Sequence, residues 1–94
     1  MAWFLVEIRY VQEKYGEVRP RHREFLNKLA DAGTVAIAGP LSDGTGGVTL
    51  YQAEDEAALR EIIDQDPYHL EGAVAERSVR GFKPTIGAWL PSDS

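Results

Sequence analysis

The sequence predicts an α+β domain with the element order β-α-β-β-α-β, and three observations carry that expectation. Apolar side chains alternate with period two near the N-terminus, two later segments repeat them at helical spacing, and glycine, proline or a capping residue marks each change of period. The order is that of the ferredoxin-like split βαβ arrangement. Right-handed crossovers then give a four-stranded antiparallel sheet with both helices on one face.

Trp3 to Val11 reads as the first strand, with Phe4, Val6, Ile8 and Tyr10 on one face and Glu7 and Arg9 on the other. Tyr15 and Gly16 break that alternation, and Pro20 is expected in a first helical turn, where its missing N–H costs nothing. From Arg19 to Ala32 the period becomes helical, with His22, Phe25, Leu26 and Leu29 in one stripe and Gly33 as the residue that ends it. Val35 to Ala38 forms a short strand closed by a Gly39-Pro40 turn. The turn formers through Gly47 make a hairpin connection, and Val48 to Ala53 has strand composition. Asp55 caps the second helix, whose stripe is Leu59, Ile62 and Ile63. Pro67 disfavours helical geometry at Asp66, so that helix is expected to stop there or just before. Pro67 to Gly72 allows one short turn, and Val74 to Phe82 is the last strand. Residues 1–84 thus read as one domain and residues 85–94, with Trp89, as a C-terminal tail.

With 94 residues the chain has room for one domain and little core to spare. Lys and Arg number 10 against 15 Asp and Glu, and this acidic excess argues against nucleic acid as a partner. No apolar run approaches the ~20 residues needed to cross a bilayer, and Met1 to Val6 lacks the basic flank of a signal peptide. The absence of cysteine removes disulfides, thiolate catalysis and zinc–thiolate sites. A cytoplasmic location is the default expectation. The uncovered sheet face would carry Trp3, Leu5 and Val11 beside Glu7 and Arg9, too apolar to leave in water, so a homodimer is expected.

Four features bear on chemistry. His22 occupies an apolar stripe where Leu would be expected, either as an amphipathic boundary ring or as a general acid–base; position alone does not choose. Asp66, read at the C-terminal end of a helix, sits where the dipole prefers a cation, unless a positive partner meets it; Asp-Pro is also an ordinary stop signal. The Gly39 to Gly47 segment lacks the Lys-Ser/Thr of a phosphate-binding loop and reads as a hairpin, long enough for Ser42 to border a pocket. Arg19 is either a solvated arginine, the commoner case, or, one turn before His22, a partner for an anionic substrate. A metal site of His22, Asp66 and His69 would match a facial triad by ligand type. With two histidines in the chain and no metal-binding spacing on one helix, no metal or organic cofactor is expected, and His69 reads as a solvated turn residue.

Arg19-Pro20-x-His22 with Phe25-Leu26, then Ala38-Gly39-Pro40-Leu41, then Asp66-Pro67-Tyr68 with Gly72, together resemble the YciI-like (YCII-related) family over residues 2 to 83. The resemblance implies a ferredoxin-like dimer of the dimeric α/β-barrel type with a site around a His-Asp pair, here His22 and Asp66. It further implies a pocket bordered by Gly39, Pro40 and Ser42. Arg19 and Tyr68 are also expected at the substrate. The reactions it suggests are elimination or isomerisation of small ring compounds, as in a dehydrochlorinase. The sequence leaves a second reading open, a dimeric module that binds a small molecule or a partner without turning it over.

Overall fold

The computed structural model describes residues 1–88. Strand β1 (Ala2–Tyr10) is followed by helix α1 (Tyr15–Asp31), strands β2 (Val35–Pro40) and β3 (Gly46–Ala53), helix α2 (Glu56–Ile63), the single turn α3 (Pro67–Leu70) and strand β4 (Val74–Phe82). The strands form one antiparallel sheet in the order β2-β3-β1-β4. This is the ferredoxin-like topology expected, and α3 is the short turn that Pro67 to Gly72 allows between α2 and β4.

Alternation on β1 builds the core. Phe4, Val6 and Ile8 are buried on the helical face and pack with Val18 of α1, Leu59 and Ile63 of α2, and Tyr68 of α3 in one cluster. Asp55 caps α2 as its chemistry predicts, accepting from the Ala58 N–H at 2.8 Å. Gly33, with φ of 85°, ends α1 in the left-handed conformation that a Cβ would disfavour; the Gly33 and Thr34 amides bond back to Ala30 and Leu29.

Three boundaries differ from the sequence expectation. Helix α1 starts at Tyr15 rather than Arg19, so Pro20 lies inside it. The early start is held by the Val11 carbonyl, which accepts from both Lys14 and Tyr15, by a stack of Tyr15 on Tyr10, and by burial of Val18. These contacts outweigh the hydrogen bond that Pro20 removes, and the carbonyl deprived of it belongs to exposed Gly16. Strand β2 continues through Gly39 and Pro40, which is no closing turn: β2 is an edge strand, where proline is tolerated, and Pro40 pairs with Gly47. Strand β3 accordingly begins at Gly46, which shortens the hairpin loop to residues 41–45.

Gly46 and Gly47 are strand glycines because β1 and β2 together leave no room for a side chain. A Cβ at Gly46 would lie 1.9 Å from the Ile8 carbonyl oxygen, and one at Gly47 would lie 3.0 Å from the Tyr10 hydroxyl and 3.2 Å from the Gly39 carbonyl oxygen. Val11, expected on the open sheet face, falls beyond the end of β1, where its amide bonds to the Ala73 carbonyl. Trp89 and the rest of residues 89–94 lie outside the described residues.

Gly46→Ala is expected to lower stability by about 1–3 kcal/mol, the cost of forcing volume into a packed site. Gly81→Ala, on an edge strand with nothing within 4 Å of the new Cβ, should be neutral or slightly stabilising. Urea unfolding of the two variants, compared at equal m-value, checks both.

Candidate functional site

Helix α3 and the middle of α1 bring His22 and Asp66 together across 44 residues of sequence. His22 Nδ1 lies 2.8 Å from Asp66 Oδ1 and 2.9 Å from Oδ2. Asp66 is 3% exposed and is the buried charged residue among the described residues. Its position differs from the one the sequence suggested. Helix α2 ends at Ile63, and Asp66 caps α3 instead, its Oδ1 accepting from the Tyr68 N–H at 2.9 Å. The carboxylate is therefore at a helix start, where its charge is favoured, rather than at an unfavourable end.

An ionised Asp66 has only acceptors to offer, so His22 must donate from Nδ1. In the neutral ring that leaves Nε2 as the free lone pair. The His22 ring stacks on Tyr68 with centroids 3.7 Å apart and planes at 15°. Tyr68 in turn meets Tyr10 edge-on at 5.5 Å, and Tyr10 stacks on Tyr15 at 4.1 Å. The Arg19 guanidinium sits 5.0 Å from the Tyr15 ring centre, within cation–π range.

Tyr10, Tyr68 and His22 of this row line a cavity of about 360 Å³, a size suited to a small organic ligand. Helix α1 contributes Arg19, His22, Arg23, Leu26 and Asn27. The sheet contributes Ile8, Tyr10, Gly47, Val48 and Thr49, with Ala38, Gly39 and Pro40 from the edge strand. Tyr68 comes from α3. Burial pushes the Tyr68 phenol above its ordinary pKa despite Arg19 beside it, and burial with Tyr68 nearby does the same to Tyr10. Both hydroxyls stay protonated at neutral pH and can donate hydrogen bonds.

Of the residues singled out from sequence, His22, Arg19, Gly39, Pro40 and Tyr68 line this cavity, and Asp66 stands behind His22. Ser42 does not: it is exposed in the 41–45 loop and absent from the lining, because β2 runs two residues further than expected before turning. His69 also departs from expectation. Both ring nitrogens are buried without a hydrogen-bond partner, and burial pushes its pKa down. His22, Asp66 and His69 form no ligating group; no cluster of three or more metal-binding side chains occurs among the described residues. Tyr10 and Leu26 were read from sequence as apolar-face residues and not as site residues, and Arg23 and Asn27 were not singled out. For the three on α1 a signal existed, since 19, 23, 26 and 27 follow the helical repeat around His22.

The family model described as YCII-related domain matches residues 2–83. No curated protein matches the chain. Among solved structures, the chain is similar to 5-chloro-2-hydroxyhydroquinone dehydrochlorinase from Burkholderia phenoliruptrix AC1100 in complex with 2,5-dihydroxybenzoquinone. The TM-score is 0.76 at 19% identity, covering 86% of this chain and 93% of that one. It is also similar to a protein described as an antibiotic biosynthesis monooxygenase from Bacteriodes thetaiotaomicron VPI-5482. There the TM-score is 0.67 at 18% identity, covering 97% and 95% of the two chains. At these identities the two likenesses establish the fold.

In Asp66→Asn the amide oxygen should stay on the Tyr68 N–H, which turns the amide nitrogen, a donor, toward His22 Nδ1. The imidazole should then shift from the Nδ1–H to the Nε2–H tautomer. Stability should fall by about 1–2 kcal/mol for the lost charge-assisted bond. Nitrogen-15 NMR of the imidazole ring, with thermal unfolding alongside, reads both effects.

Proposed function

We propose that this chain, which belongs to the YCII-related domain family, is a small enzyme that needs no cofactor and moves a proton on a small, ring-bearing organic compound through His22. The observation that carries the reading is the double contact of His22 Nδ1 with the buried Asp66 carboxylate, in a ring that lines the cavity. Asp66 selects the tautomer and orients the ring, and His22 Nε2 accepts the substrate proton.

In an elimination, Nε2 takes a proton from the atom next to the bond that breaks. The electron pair so released forms a new π bond, the leaving group departs with the electrons of its own bond, and the imidazolium afterwards returns its proton to water. In an isomerisation the same proton is returned to a different atom of the substrate. A positioned acid–base group contributes about 10²–10⁴-fold, enough for an activated substrate and far short of what amide hydrolysis demands. The dehydrochlorinase that shares this fold acts on a chlorinated hydroxyhydroquinone, an activated ring with a leaving group, and this supports elimination over other proton-transfer chemistry.

The working unit in this proposal is a homodimer. Strand alternation and register place Trp3, Leu5, Val48, Leu50, Ile37 and Phe82 on the sheet face away from the helices. Ile37 and Phe82 are 49% and 45% exposed. A second copy packed sheet to sheet would cover this face.

Two measurements test these readings. A panel of halogenated hydroxyhydroquinones and small unsaturated lactones, followed by chloride release or by absorbance, should show turnover that His22→Ala lowers at least about 100-fold without loss of fold. Turnover that survives His22→Ala removes the proton-transfer reading, and ligand binding without turnover in the wild type favours the binding module instead. Leu50→Asp, which places a charge at the centre of the apolar face, should convert a dimer to a monomer in light scattering; a wild type that is already monomeric overturns the dimer.

A further inference from the structure

The arginines of α1 divide by the side of the helix they occupy. Away from the cavity, Arg21 Nε donates to Glu71 at 2.8 Å and Lys28 faces Glu24 at 3.6 Å. Facing the cavity, Arg19 and Arg23 have no carboxylate partner among the described residues. They are four residues apart, so they share one helix face and repel each other. Among the described residues, the lining of the cavity that they border includes no Asp or Glu, in a chain where acids outnumber bases 15 to 10. Like charges concentrated without counter-ions in an otherwise acidic protein carry a local cost, and such a cost points to a group supplied from outside.

The rest of the lining says what kind of group. Ile8, Leu26, Ala38 and Pro40 offer apolar wall, while the protonated hydroxyls of Tyr10 and Tyr68 and the Asn27 amide offer donors. A ligand that fits both parts has a small apolar body and one oxyanion. We propose that the cavity selects substrates in anionic form, a carboxylate or the oxyanion of an acidic phenol or enol, and that Arg19 and Arg23 hold that oxygen at the α1 side of the cavity. This specificity rests on the proton-transfer reading for its catalytic meaning, because an oxyanion fixed beside α1 leaves the apolar body to present its labile proton to His22 Nε2. As a binding property it stands apart from that reading.

The test compares benzoate with benzamide, nearly identical in shape and different in charge. Isothermal titration should find benzoate bound at least about tenfold more tightly than benzamide, the difference that one charge-assisted hydrogen bond supplies. Arg19→Gln and Arg23→Gln should each cut the preference about threefold, and the double variant should abolish it. The preference should also weaken as sodium chloride rises, since both guanidinium groups are open to solvent screening. His22→Asn, which removes proton transfer, should leave the preference in place, so loss of turnover in that variant says nothing against anion selection. Equal affinity for the two probes, failure of both to bind, or a preference that persists in the double arginine variant overturns the proposal.

Discussion

A single buried carboxylate organises the site. Asp66, at 3% exposure, needs partners for its buried oxygens, and it has two: the His22 imidazole and the Tyr68 backbone N–H. The first contact joins α3 to the middle of α1, and the second starts α3. Tyr68, positioned by that start, stacks its ring on His22, so the same carboxylate fixes the imidazole through a hydrogen bond and, one residue on, through a face contact. Removing Asp66 would leave His22 without its orienting acceptor and α3 without its cap. Local structure and site chemistry here share one group.

The cavity exists because the sheet and α1 do not close on each other at the hairpin end of β2 and β3. Gly46 and Gly47 carry no side chains because β1 and β2 approach too closely, and the space above Gly47 is entered by Tyr10 rather than filled. On α1, Val18 is buried while Phe25, Leu26 and Leu29 are half-buried, so the helix is anchored by its first turns and roofs the cavity with the later ones. Tyr10, Tyr15, Tyr68 and His22 form a continuous aromatic row from the end of β1 to the acid–base pair. Burial keeps the phenols of Tyr10 and Tyr68 neutral beside the arginines. The electrostatic character of the cavity is therefore positive charge with neutral donors, set against an acidic exterior.

Helix and strand identities were legible because they depend on local spacing. Period two in β1, the Asp55 cap, Gly33 after α1 and Pro67 after Asp66 each act within a few residues and appear where local rules place them. Boundaries were less legible. The start of α1 depends on a stack between Tyr10 and Tyr15 and on burial of Val18 against the sheet, and neither is visible in a local window that contains Pro20. The ends of β2 and β3 depend on partner strands: Gly-Pro and Gly-Gly look like turn chemistry until pairing with a neighbour makes them strand positions. Ser42 was misplaced for that reason alone, since extending β2 by two residues moved the turn and carried Ser42 into solvent.

The candidate pair shows the same division. His22 stood out by itself, as an imidazole where a helical stripe calls for an aliphatic side chain. Asp66 was noticed by an argument that the structure replaces, for it caps α3 rather than ending α2. Arg23 and Asn27 drew no notice and Tyr10 only as a strand-face residue, because solvated arginines and half-buried tyrosines are common and only a shared cavity distinguishes them. The sequence by itself determined the fold class, the order of elements and the two residues least at ease in their local surroundings, since periodicity, caps and breakers act over one or two helical turns. Tertiary structure alone decided that His22 and Asp66 touch, that Arg19 and Arg23 face a cavity free of acid while their neighbours on α1 are paired, and that Ser42 lies apart. Those facts depend on which strands pair and how the helices lie across them, over separations of tens of residues that no local pattern encodes.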